Sequence, residues 1–453
     1  MEFKKINIVQ SSEEGARFEL AESSMFERDP AAENRVINLY PEAEFQKIIG
    51  FGGSFTETSA YQFSRMSAQA KEQILKLYFD PEQGLGYNFC RTHIHSCDFA
   101  LSRYTYVEDE DKELKTFSID RDRKYILPFI KAAKKTAGDE LLLFASPWSP
   151  PAWMKTNGDM CHGGRLLDEY YEVWAQYFVR YFKEYKKEGI PFFGLTVQNE
   201  AFAWQTWESC VYTAKEEAVF VCQFLKPALK AAGFDDIKVM IWDHNKERIY
   251  ERARDSFAVP GAKDDIWGVA FHWYSGRHFD ALEMTHNAFP DKPLLLTEYS
   301  VGAPHGETAQ APHTSWKGME TYSNELIGNF NNYMAAATIW NLLVDETGGP
   351  FHDRENGSRA QIVVNPEKDE LILEPTYYAI GHFSRYVKRG AVRIGNSSFS
   401  DAINVTAFKN PGGELVAVIL NHGAESEKFR LRIEGITAPL ELPGHSLSTL
   451  IIS

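Results

Sequence analysis

The 453-residue chain is predicted to be an α/β protein, a (β/α)8 TIM barrel with an attached antiparallel β-sandwich-like side domain. Three observations predict it. Eight short apolar runs alternate with segments of helical apolar spacing, a pattern that requires parallel strands and right-handed crossovers. Polar and aromatic residues gather just past the C-terminal ends of those runs, where a barrel builds its site. The two ends of the chain read instead as alternating strands with tight turns. A doubly wound open sheet is the alternative, but no glycine-rich dinucleotide fingerprint supports it.

The N-terminal stretches Lys5 to Val9 and Arg17 to Leu20 are strand-like and are assigned to the side domain. The barrel strands are expected at Ile48 to Gly52, Tyr87 to Ile94, Leu141 to Ser146, Phe193 to Gln198, Ile237 to Trp242, Trp267 to Tyr274, Leu294 to Thr297 and Ala335 to Leu342. Each is a short, nearly continuous apolar run, as a strand covered on both faces must be. Helical spacing marks Ser67 to Phe79, Asp120 to Lys135, Asp168 to Lys187, Lys215 to Ala232, Tyr322 to Tyr333 and Pro375 to Tyr386. Beyond them, Ala402 to Phe408 alternates, Asn410-Pro411-Gly412-Gly413 turns, and Glu414 to Leu420, Phe429 to Ile433 and Leu447 to Ile452 follow as strands. The expected domains are a catalytic barrel over 42–385 and a side domain of 1–41 plus 386–453.

The net charge of -15 argues against nucleic acid and anionic membrane surfaces as partners. The five cysteines, Cys90, Cys97, Cys161, Cys210 and Cys222, show neither disulfide-framework nor zinc-knuckle spacing. The first residues lack the apolar stretch of a signal peptide, and no run is long enough to anchor in a membrane. A cytoplasmic location is the resulting expectation. The sequence is silent on oligomeric state.

The strand ends carry the chemistry. Strand two ends in Arg91, His93, His95 and Asp98; strand three in Trp148 and Trp153; strand four in Asn199 and Glu200, with Trp204 and Trp207 beyond. Strand five gives Asp243, His244 and Asn245; strand six His272, Trp273 and Tyr274; strand seven Glu298 and Tyr299; strand eight Trp340 and Asn341. Eight of the ten tryptophans lie on this face or its loops, Trp174 and Trp267 excepted. Indole faces beside carboxylates and amides suit a small-molecule sugar, whose C–H faces stack while its hydroxyls need fixed polar partners. Indoles that merely close the barrel top are the alternative. Strands four and seven lie nearly opposite in an eight-stranded barrel, so Glu200 and Glu298 can flank one glycosidic bond. A gap of ~5–5.5 Å gives retention and ~6.5–9.5 Å inversion. Arg91 would hold one of them ionised.

Two readings from other classes stand beside this one. His93 and His95 share a strand face and could ligate a catalytic metal in a metal-dependent TIM-barrel hydrolase, with His244, His272, and Asp98 or Glu298 completing the set. Strand alternation also lets both histidines point inward with no metal. A non-catalytic sugar-binding protein is the third possibility.

These residues resemble glycoside hydrolase family 30, the glucosylceramidase-like enzymes. The resemblance rests on Gly50-Phe51-Gly52-Gly53-Ser54-Phe55-Thr56, Tyr87-Asn88-Phe89-Cys90-Arg91, Ser96-Cys97-Asp98-Phe99, the segment from Ala145 to Gly158, His272-Trp273-Tyr274, Thr297-Glu298 and Gly381-His382-Phe383-Ser384. It implies a retaining, exo-acting β-glycosidase, a β-glucosidase first of all, that needs no cofactor and no metal. By this resemblance Glu200 is the acid/base and Glu298 the nucleophile. It also implies that Asp98, Trp148, Asn199 and Trp340 hold the terminal sugar, with Arg91 and Tyr274 near the nucleophile; His272 joins them as a candidate substrate-binding residue. Glu200 is expected to rest protonated and Glu298 ionised. The chain departs from the family pattern at Ala201, where proline is common, at Tyr299-Ser300, and at His93 and His95. Its loop from Ala203 to Cys210 resembles the bacterial members. β-1,6-Glucanase, β-xylosidase and β-fucosidase activities are the alternatives within the family.

Overall fold

A computed structural model describes residues 3–300, 315–353 and 357–453. Eight parallel strands close a barrel: Gly50–Phe55, Phe89–Ile94, Leu142–Pro147, Gly194–Thr196, Lys238–Asn245, Gly268–His272, Leu294–Glu298 and Met334–Ile339. Each falls on one of the expected runs, with its ends displaced by a few residues. The eighth pairs with the first at Ala336 against Gly50, so the barrel has no free edge. Strands one, two, six, seven and eight are buried along their whole length. That burial explains the unbroken apolar runs. A Cβ at Gly52 would lie 2.0 Å from the Phe89 carbonyl oxygen, so only glycine lets strand two approach this closely. Inside, Phe89, Phe144, Met240, Ala270, Leu295 and Ala336 form an apolar plug on which the polar site rests.

Helices cover the barrel. Two of them, Ala68–Phe79 and Trp316–Asn331, start at serines whose hydroxyls accept from the backbone three residues on. The expected helix over Lys215 to Ala232 is interrupted. It runs as an α-helix over Ala214–Phe220, a π-turn over Val221–Leu225 and an α-helix over Lys226–Ala231. Pro227 is the cause: it has no N–H for the carbonyl of Gln223, and the wider turn relieves its ring. Four helices were not marked in the sequence, Glu57–Arg65, Ile249–Phe257, Ala262–Asp265 and Phe279–Ala288. They are short, with too few apolar positions to show a period. A three-stranded sheet of Leu343–Asp345, Ile362–Asn365 and Glu370–Leu373 also follows strand eight unannounced.

The side domain is a ten-stranded sheet drawn from both ends of the chain. Lys5–Ser12 lies between Glu19–Met25 and Ser446–Ile452. Val36–Lys47 runs across the 41/42 junction and pairs with Val392–Ser397. The sheet folds back on itself, and Ser24 Oγ donates to the Pro439 carbonyl at 2.8 Å. Ile6, Ile37, Ile394, Leu431 and Leu450 fill the space enclosed. His382, on the last barrel helix, is buried against the sheet, with Thr449 Oγ1 and Ser11 Oγ each 2.9 Å from a ring nitrogen.

Candidate active site

Glu200 follows strand four and Glu298 ends strand seven. His272, at the end of strand six, lies between them. Its Nδ1 is 3.4 Å from Glu200 Oε1 and 4.0 Å from Glu298 Oε1, so one imidazole nitrogen spans the gap between the two carboxylates. The register of strand six against strand seven slips between Phe271 and His272, which sets His272 opposite Glu298. Glu200 itself has φ 48°, a left-handed conformation that costs a non-glycine residue ~1–3 kcal/mol and persists only where the surroundings enforce it. Its backbone N–H donates to the Asp243 carbonyl at 2.7 Å, and Trp242 and Asp243 are left-handed too, at φ 76° and 47°. Strained backbone thus concentrates where strands four and five meet the cleft.

Arg91 organises the floor. It is fully buried and reaches four partners: Glu298 Oε2 at 2.6 Å, Asp243 Oδ2 at 2.6 Å, Asn199 Oδ1 at 2.8 Å and Ser146 Oγ at 2.9 Å. The planar fork of a guanidinium meets all four at once. Below it lies the Phe144 ring at 6.0 Å; Trp148 and Trp340 stand at 4.7 and 5.6 Å. Asp243 is the counterpart hub. It accepts from Arg91, from Thr196 Oγ1 at 2.6 Å, from Thr297 Oγ1 at 2.5 Å and from His272 Nε2 at 3.0 Å. Tyr274 donates its hydroxyl to Glu298 Oε1 at 3.0 Å. With Asn199 Oδ1 taken by Arg91, the amide nitrogen of Asn199 is its remaining polar group.

These contacts set the charges. Burial alone would push Asp243 up, but Arg91, then His272 and Thr196, hold it well below the usual carboxylate range. Burial alone would discharge His272, yet Glu298, Asp243 and Glu200 raise it to about 9. For Glu200, burial is again the largest single influence and acts upward. His244, His272 and Gln205 together outweigh it and bring it to about 2. Resting protonation of Glu200 is therefore not what the empty cleft favours. Two more carboxylates, Glu298 and Asp243, face the imidazole and draw the proton of the Glu200–His272 pair toward that ring.

Comparison with known proteins decides the family. Residues 48–387 match the glycosyl hydrolase family 30 TIM-barrel domain and residues 390–450 the family 30 beta sandwich domain. The chain belongs to glycoside hydrolase family 30. The lysosomal acid glucosylceramidase of Mus musculus is 32% identical over 430 residues, covering 92% of this chain and 82% of the mouse protein. The crystal structure of SrfJ from Salmonella typhimurium superposes with a TM-score of 0.94 at 36% identity, covering 99% of each chain. The endo-beta1,6-glucanase BT3312 superposes at 0.86 with 27% identity, over 98% of this chain and 99% of its own.

In this family 30 hydrolase the structure gathers Arg91, Asn199, Glu200, His272, Tyr274 and Glu298 into one network. Trp148 and Trp340 stack beside it with centroids 5.0 Å apart. Buried Asp98 lies between Cys97 and Phe99, which pack in the same cluster as the two indoles. The tryptophan-rich face proves mixed. Trp207 packs against that cluster. Trp273 instead packs on Tyr299 and Tyr322, Trp153 on Tyr170, and Trp316 beneath Arg17 of the side domain. Trp204 is 76% exposed at the rim.

The alternative of a metal on His93 and His95 does not fit the structure, because every ring nitrogen of the pair is spoken for. His93 Nδ1 donates to the His95 carbonyl, and its Nε2 accepts from the Glu57 N–H at 2.9 Å. His95 Nε2 donates to the Ser149 carbonyl at 2.5 Å, and its Nδ1 accepts from the Tyr177 hydroxyl at 2.8 Å. Burial brings both down to about 4. They are neutral clamps between the strand-two loop and its neighbours. Sequence reasoning passed over Asp243, Ser146, Thr196 and Thr297 as site residues. Asp243 had one signal, its place at the end of strand five; the hydroxyls had none.

Proposed function

We propose that this hydrolase is a retaining, exo-acting β-glucosidase that acts on short β-glucosides or gluco-oligosaccharides, with Glu298 as nucleophile and Glu200 as acid/base. The observation that carries the reading is the span of the Glu200–Glu298 gap by the single nitrogen His272 Nδ1, at 3.4 and 4.0 Å. The two contacts cap the separation of the two Oε1 atoms at about 7.4 Å, which admits the ~5–5.5 Å spacing of a double displacement. Glu298, oriented by Arg91 and Tyr274, attacks the anomeric carbon and forms a glycosyl ester. The departing oxygen takes its proton from Glu200, which His272 resupplies across the 3.4 Å contact. In the second step Glu200 removes a proton from water, the water oxygen attacks the anomeric carbon, and the ester bond to Glu298 breaks. Asn199 donates to the sugar 2-hydroxyl, a bond that strengthens as positive charge develops. Asp98, Trp148 and Trp340 form the wall against which the terminal sugar rests.

Glucosylceramidase relatives support a gluco-configured substrate. A second reading, β-1,6-linked glucan, draws support from the likeness to the endo-beta1,6-glucanase; β-xylosides and β-fucosides stay within the screen. The decisive experiment combines aryl β-glucoside, β-xyloside, β-fucoside and β-galactoside with anomer analysis of the first product. A first product of inverted configuration removes the retaining reading, and failure of every aryl β-glycoside removes the exo-glycosidase. Glu200→Ala should recover turnover of an activated aryl glycoside in azide and yield a β-glycosyl azide. Activity undiminished by exhaustive chelation is expected, since no step uses a metal.

A further inference from the structure

Glu200 Oε2 is occupied by Gln205 Nε2 at 3.2 Å, but Oε1 faces two imidazole nitrogens, His272 Nδ1 at 3.4 Å and His244 Nδ1 at 3.6 Å. Among the described residues neither nitrogen makes a hydrogen bond, although both are buried atoms and His272 is buried completely. Without a proton on His272, two buried ring nitrogens and a carboxylate oxygen turn their lone pairs on one another, an arrangement that a cation relieves as a proton does. The three atoms lie within 4.8 Å of one another. Tetrahedral zinc, with bonds of ~2.0–2.2 Å to imidazole nitrogen and carboxylate oxygen, sets its ligand atoms ~3.3–3.5 Å apart. One edge already has that length, a second at 3.6 Å is within ~0.3 Å of it, and closing the third takes a side-chain movement of at most ~1.5 Å. The far nitrogen of His272 donates to Asp243 at 3.0 Å, the carboxylate–histidine arrangement that orients a metal-bound imidazole.

We propose that Glu200, His244 and His272 form a binding site for a zinc-class divalent cation, and that its occupancy switches the glycosidase off. The cation takes the lone pairs of both imidazoles and of Glu200 Oε1, and any proton on His272 Nδ1 leaves to solvent. Glu200 then has no proton to give and no lone pair to receive one. A cation held there and the leaving-group oxygen of a substrate compete for the same Glu200 carboxylate. The inhibitory half rests on reading Glu200 as the acid/base; the binding half does not. A second group, Cys161, Glu208 and Asp353, also converges. There the Arg103 guanidinium already stands among the ligand atoms, donating to Cys161 Sγ at 2.8 Å and to Asp353.

The test is calorimetric titration of chelator-stripped protein with zinc chloride near pH ~8, where zinc must displace the His272 proton, on wild type, His244→Leu and Cys161→Ser. Aryl β-glycoside hydrolysis is followed in parallel. His244 is partly exposed, so its replacement leaves the fold intact, and each variant's inhibition is referred to its own zinc-free rate. One ion should bind wild type and Cys161→Ser alike. Binding should weaken by ~100-fold or more in His244→Leu, which loses a ligand rather than an outer partner, with the inhibitory zinc concentration rising in step and chelator restoring the rate. Wild type that binds no zinc, or His244→Leu that binds as wild type does, overturns the site. Zinc that binds through His244 without slowing hydrolysis leaves the site standing and overturns the inhibitory half, and with it the role given to Glu200.

Discussion

Replacing His272 with glutamine should move the alkaline limb of kcat/KM toward acid by two pH units or more. In the free enzyme the proton for the leaving group is shared by Glu200 and His272, and it stays until the imidazole, held up to about 9, lets it go. A glutamine can still bond Asp243 but carries no such proton. Glu200 also loses the charged imidazole beside it, one of the influences that hold it down. What remains is burial acting upward, opposed by His244 and Gln205. The proton must then sit on a carboxyl group whose ordinary value is ~4.3, lifted by desolvation to ~5–7. From about 9 to that range is ~2–4 units, or ~3–6 kcal/mol of proton affinity at ~1.4 kcal/mol per unit. The assay is kcat/KM against pH for wild type and His272→Gln on two aryl β-glycosides. The one with a poor leaving group needs the proton; the one with a good leaving group does not and serves as the control. An alkaline limb that stays in place in the variant refutes the shared-proton mechanism. So does a limb that moves equally on both substrates.

Glu298→Gln should lose turnover by ~10⁴-fold or more with unchanged circular dichroism, and substantial residual activity would remove it as nucleophile. Arg91→Lys keeps the charge but cannot reach Glu298, Asp243, Asn199 and Ser146 together. It should cost ~3 kcal/mol in denaturant unfolding and depress kcat, and a variant as stable as wild type speaks against the hub. His93 and His95 are buried neutral at about 4, below the ~6.5 of an unfolded histidine. The unfolded chain therefore takes up their protons first, and stability should fall as pH drops from ~6.5 toward 4; His95→Gln should flatten that slope in urea melts. Gly52→Ala places a methyl 2.0 Å from the Phe89 carbonyl oxygen. It should destabilise by ~3 kcal/mol or more, read as lower Tm and soluble yield.

Chain order and periodicity suffice for the barrel, for the strand ends that face the cleft and for the pair Glu200 and Glu298. A buried parallel strand is written in local residues, and its C-terminal end is a position in the sequence. The same local code is blind to partners. Arg91 and Glu298 stand 207 residues apart and meet at 2.6 Å only because the sheet closes on itself. Closure likewise makes Asp243 a hub, fed by Thr196, Thr297, His272 and Arg91 from four other strands. It also decides which indoles look inward, since a side chain's face depends on bulges and register slips such as the one at His272. His93 and His95 show the limit most plainly. Alternation places them on one face, as metal ligands would be, and only the packed loops supply the carbonyls, the hydroxyl and the N–H that occupy their nitrogens. The proton on His272 is settled last of all. It follows from three carboxylates converging on one buried ring, an electrostatic sum over groups that no stretch of sequence contains.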